Sequence, residues 1–231
     1  MGQLTRQQIE TMLTGQGDKL NLAGADLSNL DLSRLDLSGA NLSGATLVGV
    51  NLQDAQLRNV SLDRANLRQA NLSQANLSSA NLAGVNLSEA NLSEVYLLRA
   101  NLLEANLAEA NLAKAKLDEA NLMAANLERV NLDRAYLVRT HLSQANLSQA
   151  NLAGANLKNA ILDGANLTAA SLNEAFMEGA SLNGTDLRQA NLAGATLTKA
   201  TYDNQTQWAS GFDPATAGAV TKKKKWLGLF G

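Results

Sequence analysis

From Leu22 to Leu197 every fifth residue is leucine, Met177 is the single departure, and no insertion or deletion disturbs the count. With Tyr202 taken as the last centre, the register holds 37 pentapeptides between Leu20 and Tyr202. Two residues before each centre stands a second buried-type residue, alanine in 27 of the 37 repeats and otherwise Leu, Val or Thr. A unit this short cannot enclose a core alone; it buries its apolar residues only by stacking on copies of itself.

An α-helix turns by about 100° per residue, so residues five apart would sit roughly 140° apart and the leucines would smear around the axis. Extended backbone accounts for the pattern better, because the small residue and the leucine are two apart and point to one side. Ala25-Asp26-Leu27 is then one very short strand. The two residues left in each repeat can turn a corner but cannot form a helix or a crossover between parallel strands. The chain must therefore wind. All ten glycines between Leu20 and Tyr202 (among them Gly24, Gly84 and Gly154) fall two residues after a centre, as expected of a turn position that favours φ > 0.

Tandem A(N/D)LXX resembles the pentapeptide repeat proteins over about four fifths of the chain. The resemblance implies an all-β solenoid: a right-handed quadrilateral β-helix with four pentapeptides per coil and the leucine and small residue inward. The period establishes strands and corners; the number four comes from the family. On that basis the 37 repeats make about nine coils, a rod roughly 43 Å long at about 4.8 Å per rung.

The expected organisation is an N-terminal helical cap (1–19), the β-helix (20–202), a C-terminal cap (203–220) and a basic, aromatic tail (221–231) expected to be mobile. Thr5 and Gln8 have capping-box spacing, Ile9, Met12 and Leu13 form an apolar helix face, and Gly15 and Gly17 stop the helix, predicted over about 5–14. At the other end Trp208 and Phe212 offer a lid beside Pro214, the only proline. The segment TYDNQTQWASGFDPATAGAV is similar to the closing segment of many cyanobacterial members of the family.

The chain has one histidine and no cysteine, so disulfides and thiolate metal sites are excluded, and a cytoplasmic location is expected. No N-terminal apolar h-region or membrane-length stretch is present. The residues expected one coil from His141 are Asn121 and Ile161, poor partners for a general base, and Asp118 and Glu119 are fixed by nothing as an acid/base pair. No enzyme activity, cofactor or metal is expected. Some members of the family look like DNA and inhibit type II topoisomerases, but a rod roughly 43 Å long would need about 25 unopposed negative charges to match the duplex. The repeat region carries 17 acidic against 13 basic residues, which argues against both mimicry and direct nucleic-acid binding.

If residues n and n + 20 stack, the outward position before each leucine forms four columns. Two are nearly all Asn or Asp, from Asp26 to Asp186 and from Asp31 to Asn191, and read as structural ladders. A third starts at Asn21 and changes late, through His141 and Ile161. The fourth runs Asp36, Gln56, Asn76, Tyr96, Lys116, Tyr136, Asn156, Phe176, Thr196. With Leu98 and Val138, the corner residues Arg99 and Arg139, and Leu103 and Met123 round that corner, it is expected to form an exposed aromatic and arginine-bearing strip.

The expected function is a non-enzymatic scaffold presenting this strip to a protein partner or to a second copy. The alternative is a peripheral membrane protein held through Lys222, Lys223, Lys224, Lys225, Trp226, Leu227, Leu229 and Phe230, each lysine contributing about 1 kcal/mol at an anionic surface. A DNA-like topoisomerase inhibitor is a distant third.

Overall fold

The structure, a computed structural model, describes residues 4–14 and 20–222. Asn21 pairs in parallel with Asn41, Asn41 with Ser61, and the same twenty-residue offset continues to Ser181 with Thr201. Four bridged positions alternate with four turns in each twenty residues. The backbone thus closes a four-cornered coil and places residue n on residue n + 20.

One repeat shows why the pentapeptide suffices. In residues 101–105 the Asn101 amide donates to Ala80 O of the coil before, and the Leu102 and Glu104 amides donate to Asn121 O and Met123 O of the coil after. The Ala105 amide closes the turn on Leu102 O at 3.0 Å. Only the Leu103 amide has no carbonyl, and the Asn101 side chain takes it, Oδ1 accepting at 3.3 Å. All five amides are satisfied, as a tightly wound backbone requires. The Asn or Asp before the leucine is therefore a structural partner of the turn.

At the corner the third turn residue lies in the left-handed region. All ten repeat glycines do so, and so do 26 non-glycine residues, including Arg99, Glu119, Ala124 and Arg139. Glycine marks the corner in the sequence because it accepts φ > 0 freely, but the coil imposes the same conformation on every residue type placed there.

Inside, the leucines and small residues form one continuous core, with Leu107 and Met177 fully buried. Two repeats place threonine at the small position. Thr140 Oγ1 donates to Leu117 O and Thr185 Oγ1 to Leu162 O, each at 2.9 Å, so both buried hydroxyls are paired.

Helix α1 spans Arg6–Thr14. Its capping box is reciprocal: the Thr5 amide donates to Gln8 Oε1 at 2.8 Å and the Gln8 amide to Thr5 Oγ1 at 3.3 Å. Ile9 is buried in the core and Leu13 packs against it, while Arg6 Nη1 and Nη2 donate to Asp31 O and Ser33 O. Met12 does not join the buried face; it is 47 % exposed. Ile9 and Leu13 are four apart and set the stripe, leaving Met12 at its edge. The expected stop at Gly15 and Gly17 lies outside the described residues.

After Tyr202 the chain departs from the period and then returns to the coil. Strand β1 (Thr201–Tyr202) pairs in parallel with β2 (Val220–Thr221), so the closing segment adds a rung and reaches one residue beyond the expected boundary at 220. Trp208 stacks on Phe212 and meets Tyr202 edge-on, both contacts at 5.3 Å between centroids.

Two stability measurements test this account. Leu107→Ala is expected to cost about 2–5 kcal/mol in denaturant unfolding, because the stacked layers around it cannot collapse into the void. Ala124→Gly is expected to stabilise by roughly 0.5–1 kcal/mol, since relief of the left-handed strain exceeds glycine's entropic cost; a lowered midpoint would refute it.

Candidate interaction surface

On the two asparagine-rich faces the outward side chains bond to one another up the rod. Asn71 Nδ2 donates to Asn51 Oδ1 at 3.1 Å and Asn91 Nδ2 to Asn71 Oδ1 at 3.2 Å, and so on through Asn151. The next face repeats this from Asn66 to Asn166. Each Oδ1 along these runs also accepts the amide two residues on in most repeats. Both faces are polar and internally paired.

The fourth face breaks this arrangement. The bridges place Tyr96 on Lys116, Lys116 on Tyr136, Tyr136 on Asn156 and Asn156 on Phe176, in one straight column. Tyr96, Tyr136 and Phe176 are 39, 48 and 55 % exposed, and Leu98 beside Tyr96 is 38 % exposed. Neither an aromatic ring nor the Lys116 ammonium group can accept an amide, so the backbone N–H groups of Leu98, Asp118 and Glu178 have no acceptor among the described residues. The Val138 amide is rescued by Asp118 Oδ1 at 3.0 Å. Asn156 Oδ1 accepts the Lys158 amide, but its Nδ2 has no acceptor among the described residues, because its neighbour down the column is Tyr136.

Lys116 Nζ lies 4.1 Å from the Tyr96 ring centroid, a cation on an aromatic face, and is in no ion pair among the described residues. The arginines behave differently. Arg99 Nε donates to Glu119 Oε2 at 2.8 Å and Arg139 Nη1 lies 3.6 Å from Glu119 Oε1. Glu119 thus joins the two tyrosine-bearing coils through the coil between them, and Arg99 first, then Arg139, holds its carboxyl below the usual range. Lys158 pairs with Glu178 at 3.0 Å on the flank of Phe176. Shallow grooves open beside Phe176, one against Arg134, Tyr136 and Glu174, the other against Lys158, Glu178 and Thr196.

Leu103, Met123 and Val138 are half-buried, so the exposed part of the strip is narrower than its sequence suggests, resting on the three rings and Leu98. Leu103 and Met123 belong to the adjoining face, where their amides bond to Asn101 and Asn121. Ile161, the late change in the column from Asn21 and not among the residues expected in the strip, is 40 % exposed on that adjoining face; an isoleucine at an asparagine position was the available signal. His141 Nε2 lies 2.9 Å from Ser143 Oγ, between Asn121 and Ile161. Of the tail expected to be mobile from 221, Thr221 is instead paired in β2 and the Lys222 amide donates to Tyr202 O at 2.8 Å, while Lys223 to Lys225, Trp226, Leu227, Leu229 and Phe230 lie outside the described residues. Among the described residues no helix is long and apolar enough to cross a membrane, and no three His, Cys, Asp or Glu side chains converge to hold a metal.

The family model for pentapeptide repeats matches residues 20–54, 51–88, 86–122, 125–164 and 160–198. No curated protein sequence matches the chain. Among solved structures, HetL, a pentapeptide repeat protein involved in heterocyst differentiation regulation in the cyanobacterium Nostoc sp. strain PCC 7120, is 31 % identical with a TM-score of 0.61, covering 86 % of this chain and 92 % of its own. QnrB1, a plasmid-mediated fluoroquinolone resistance protein, is 14 % identical with a TM-score of 0.57, covering 86 % and 94 %, a likeness of fold alone. The protein alr5209 from Nostoc PCC 7120 is 42 % identical over 46 % of this chain and 84 % of its own, with a TM-score of 0.38. The repeat match, the HetL likeness and the twenty-residue coil together establish that this chain belongs to the pentapeptide repeat family, whose members are right-handed quadrilateral β-helices and are generally structural or interaction proteins rather than enzymes.

Proposed function

We propose that the chain is a non-enzymatic protein-interaction scaffold: a rod of about nine coils, closed by α1 at one end and by residues 203–221 at the other, that presents the Tyr96/Tyr136/Phe176 face to a protein partner. The observation that carries this reading is the contrast between faces. Two faces spend their amide groups on one another. From Tyr96 to Phe176 the fourth face gives up those ladder bonds and exposes three rings where asparagine would serve the fold better. An exposed row of rings with a lysine that has no carboxylate among the described residues, on an otherwise Asn, Ser and Gln surface, is suited to recognition. The likeness to HetL, a protein involved in heterocyst differentiation regulation in its own organism, supports a regulatory rather than catalytic task.

Replacing Tyr96, Tyr136 and Phe176 together with Asn tests the reading. Asparagine restores the turn acceptor at each position, so the thermal midpoint is expected to hold or rise. Crosslinked partners retained by the wild-type chain from its native cell are expected to be lost by the variant, and retention of the same partners would discard the site.

A further inference from the structure

We propose that this face binds a proline-rich segment in the polyproline II conformation, with acidic residues between its prolines; the inference rests on the reading of the same face as a docking surface. Rings stand on every second rung, so they recur about every 9.6 Å along the rod. A polyproline II helix rises about 3.1 Å per residue with three residues per turn, and so repeats about every 9.3 Å. From Tyr96 to Phe176 the mismatch is roughly 0.6 Å in total. An α-helix using positions i and i + 7 repeats about every 10.5 Å and slips by roughly 1.8 Å over the same distance. A β-strand shows successive same-side residues roughly 6.7 Å apart and misses the second ring.

Hydrogen bonding selects the same ligand. Polyproline II makes no internal hydrogen bonds, so its carbonyls need outside donors. Four donors on this face have no acceptor among the described residues: the amides of Leu98, Asp118 and Glu178, and Asn156 Nδ2 between Tyr136 and Phe176. The rings offer flat apolar platforms to pyrrolidine rings. Lys116 supplies the charge complement: its ammonium group sits on Tyr96, one rung before Tyr136, with no carboxylate partner among the described residues. An acidic residue in the spacer between two prolines meets it there.

A second copy of the chain is disfavoured by area. The strip is about 10 Å wide and about 19 Å long, on the order of 200 Å², against the roughly 800 Å² per partner of a stable complex between folded proteins. A slender peptide fits that footprint.

The test titrates the full chain into a fluorescein-labelled Pro-Glu-Ala-Pro-Glu-Ala-Pro peptide and reads anisotropy, with a control of equal composition whose prolines fall out of the three-residue register. The in-register peptide is expected to bind more tightly than the control. Tyr136→Asn is expected to weaken it by at least about tenfold while Tyr136→Phe retains it, and Lys116→Gln is expected to abolish the preference for Glu over Gln spacers. Equal binding of peptide and control, or wild-type affinity in Tyr136→Asn, overturns the proposal. Should the peptide fail while the triple asparagine variant still loses its crosslinked partners, the docking surface stands and the proline ligand falls. A dimer in sedimentation that Tyr136→Asn dissolves overturns it in favour of self-association.

Discussion

The whole molecule depends on the satisfaction of backbone amides in a coil only five residues to a side. Four of the five amides in a repeat reach carbonyls of the same turn or of adjacent coils; the fifth needs a side-chain acceptor, most often the Asn or Asp two residues earlier. That requirement explains why Asn and Asp dominate the position before the leucine. Asn goes further, because its Nδ2 group is free to bond to the next Oδ1 up the rod. A buried leucine, Met177 in one repeat, anchors each side of the coil to the core, and the backbone hydrogen bonds hold each coil to its neighbour.

Against that requirement the fourth face is costly. Tyr96, Tyr136 and Phe176 each forfeit a turn acceptor and a ladder bond, and their rings stay in water. Compensation is partial: Asp118 supplies the Val138 amide, Lys116 covers one face of Tyr96, and Glu119 ties Arg99 to Arg139 across two rungs. Such exposed ion pairs contribute little stability, because water screens them. They do fix the corner beside the rings, giving the face a set shape along its length.

The two ends solve a different problem, the unpaired edge of the last coil. At the N-terminal end α1 is sewn on by a reciprocal capping box, by Ile9 in the core and by Arg6 donating to carbonyls of the coil. At the C-terminal end the chain leaves the period, builds an aromatic cluster from Tyr202, Trp208 and Phe212, and comes back as β2 to pair with β1. Each cap spends aperiodic sequence to protect backbone that the repeat cannot protect alone.

The sequence by itself determined the inward positions, the corners, the capping box and the existence of an odd column, because each is written in a period of five or in local spacing. The twenty-residue circumference needed either the family resemblance or the coordinates, since five-residue periodicity says nothing of how many sides close a coil. Only the tertiary structure decided what the odd column offers. Met12 turned outward because two better-placed residues set the helix stripe. Leu103, Met123 and Val138 were half-covered, Arg99 and Arg139 were drawn to Glu119, and Lys116 was left without a carboxylate among the described residues. These outcomes depend on residues twenty or more apart in the chain, and stacking brings such side chains within reach only once the coil has closed.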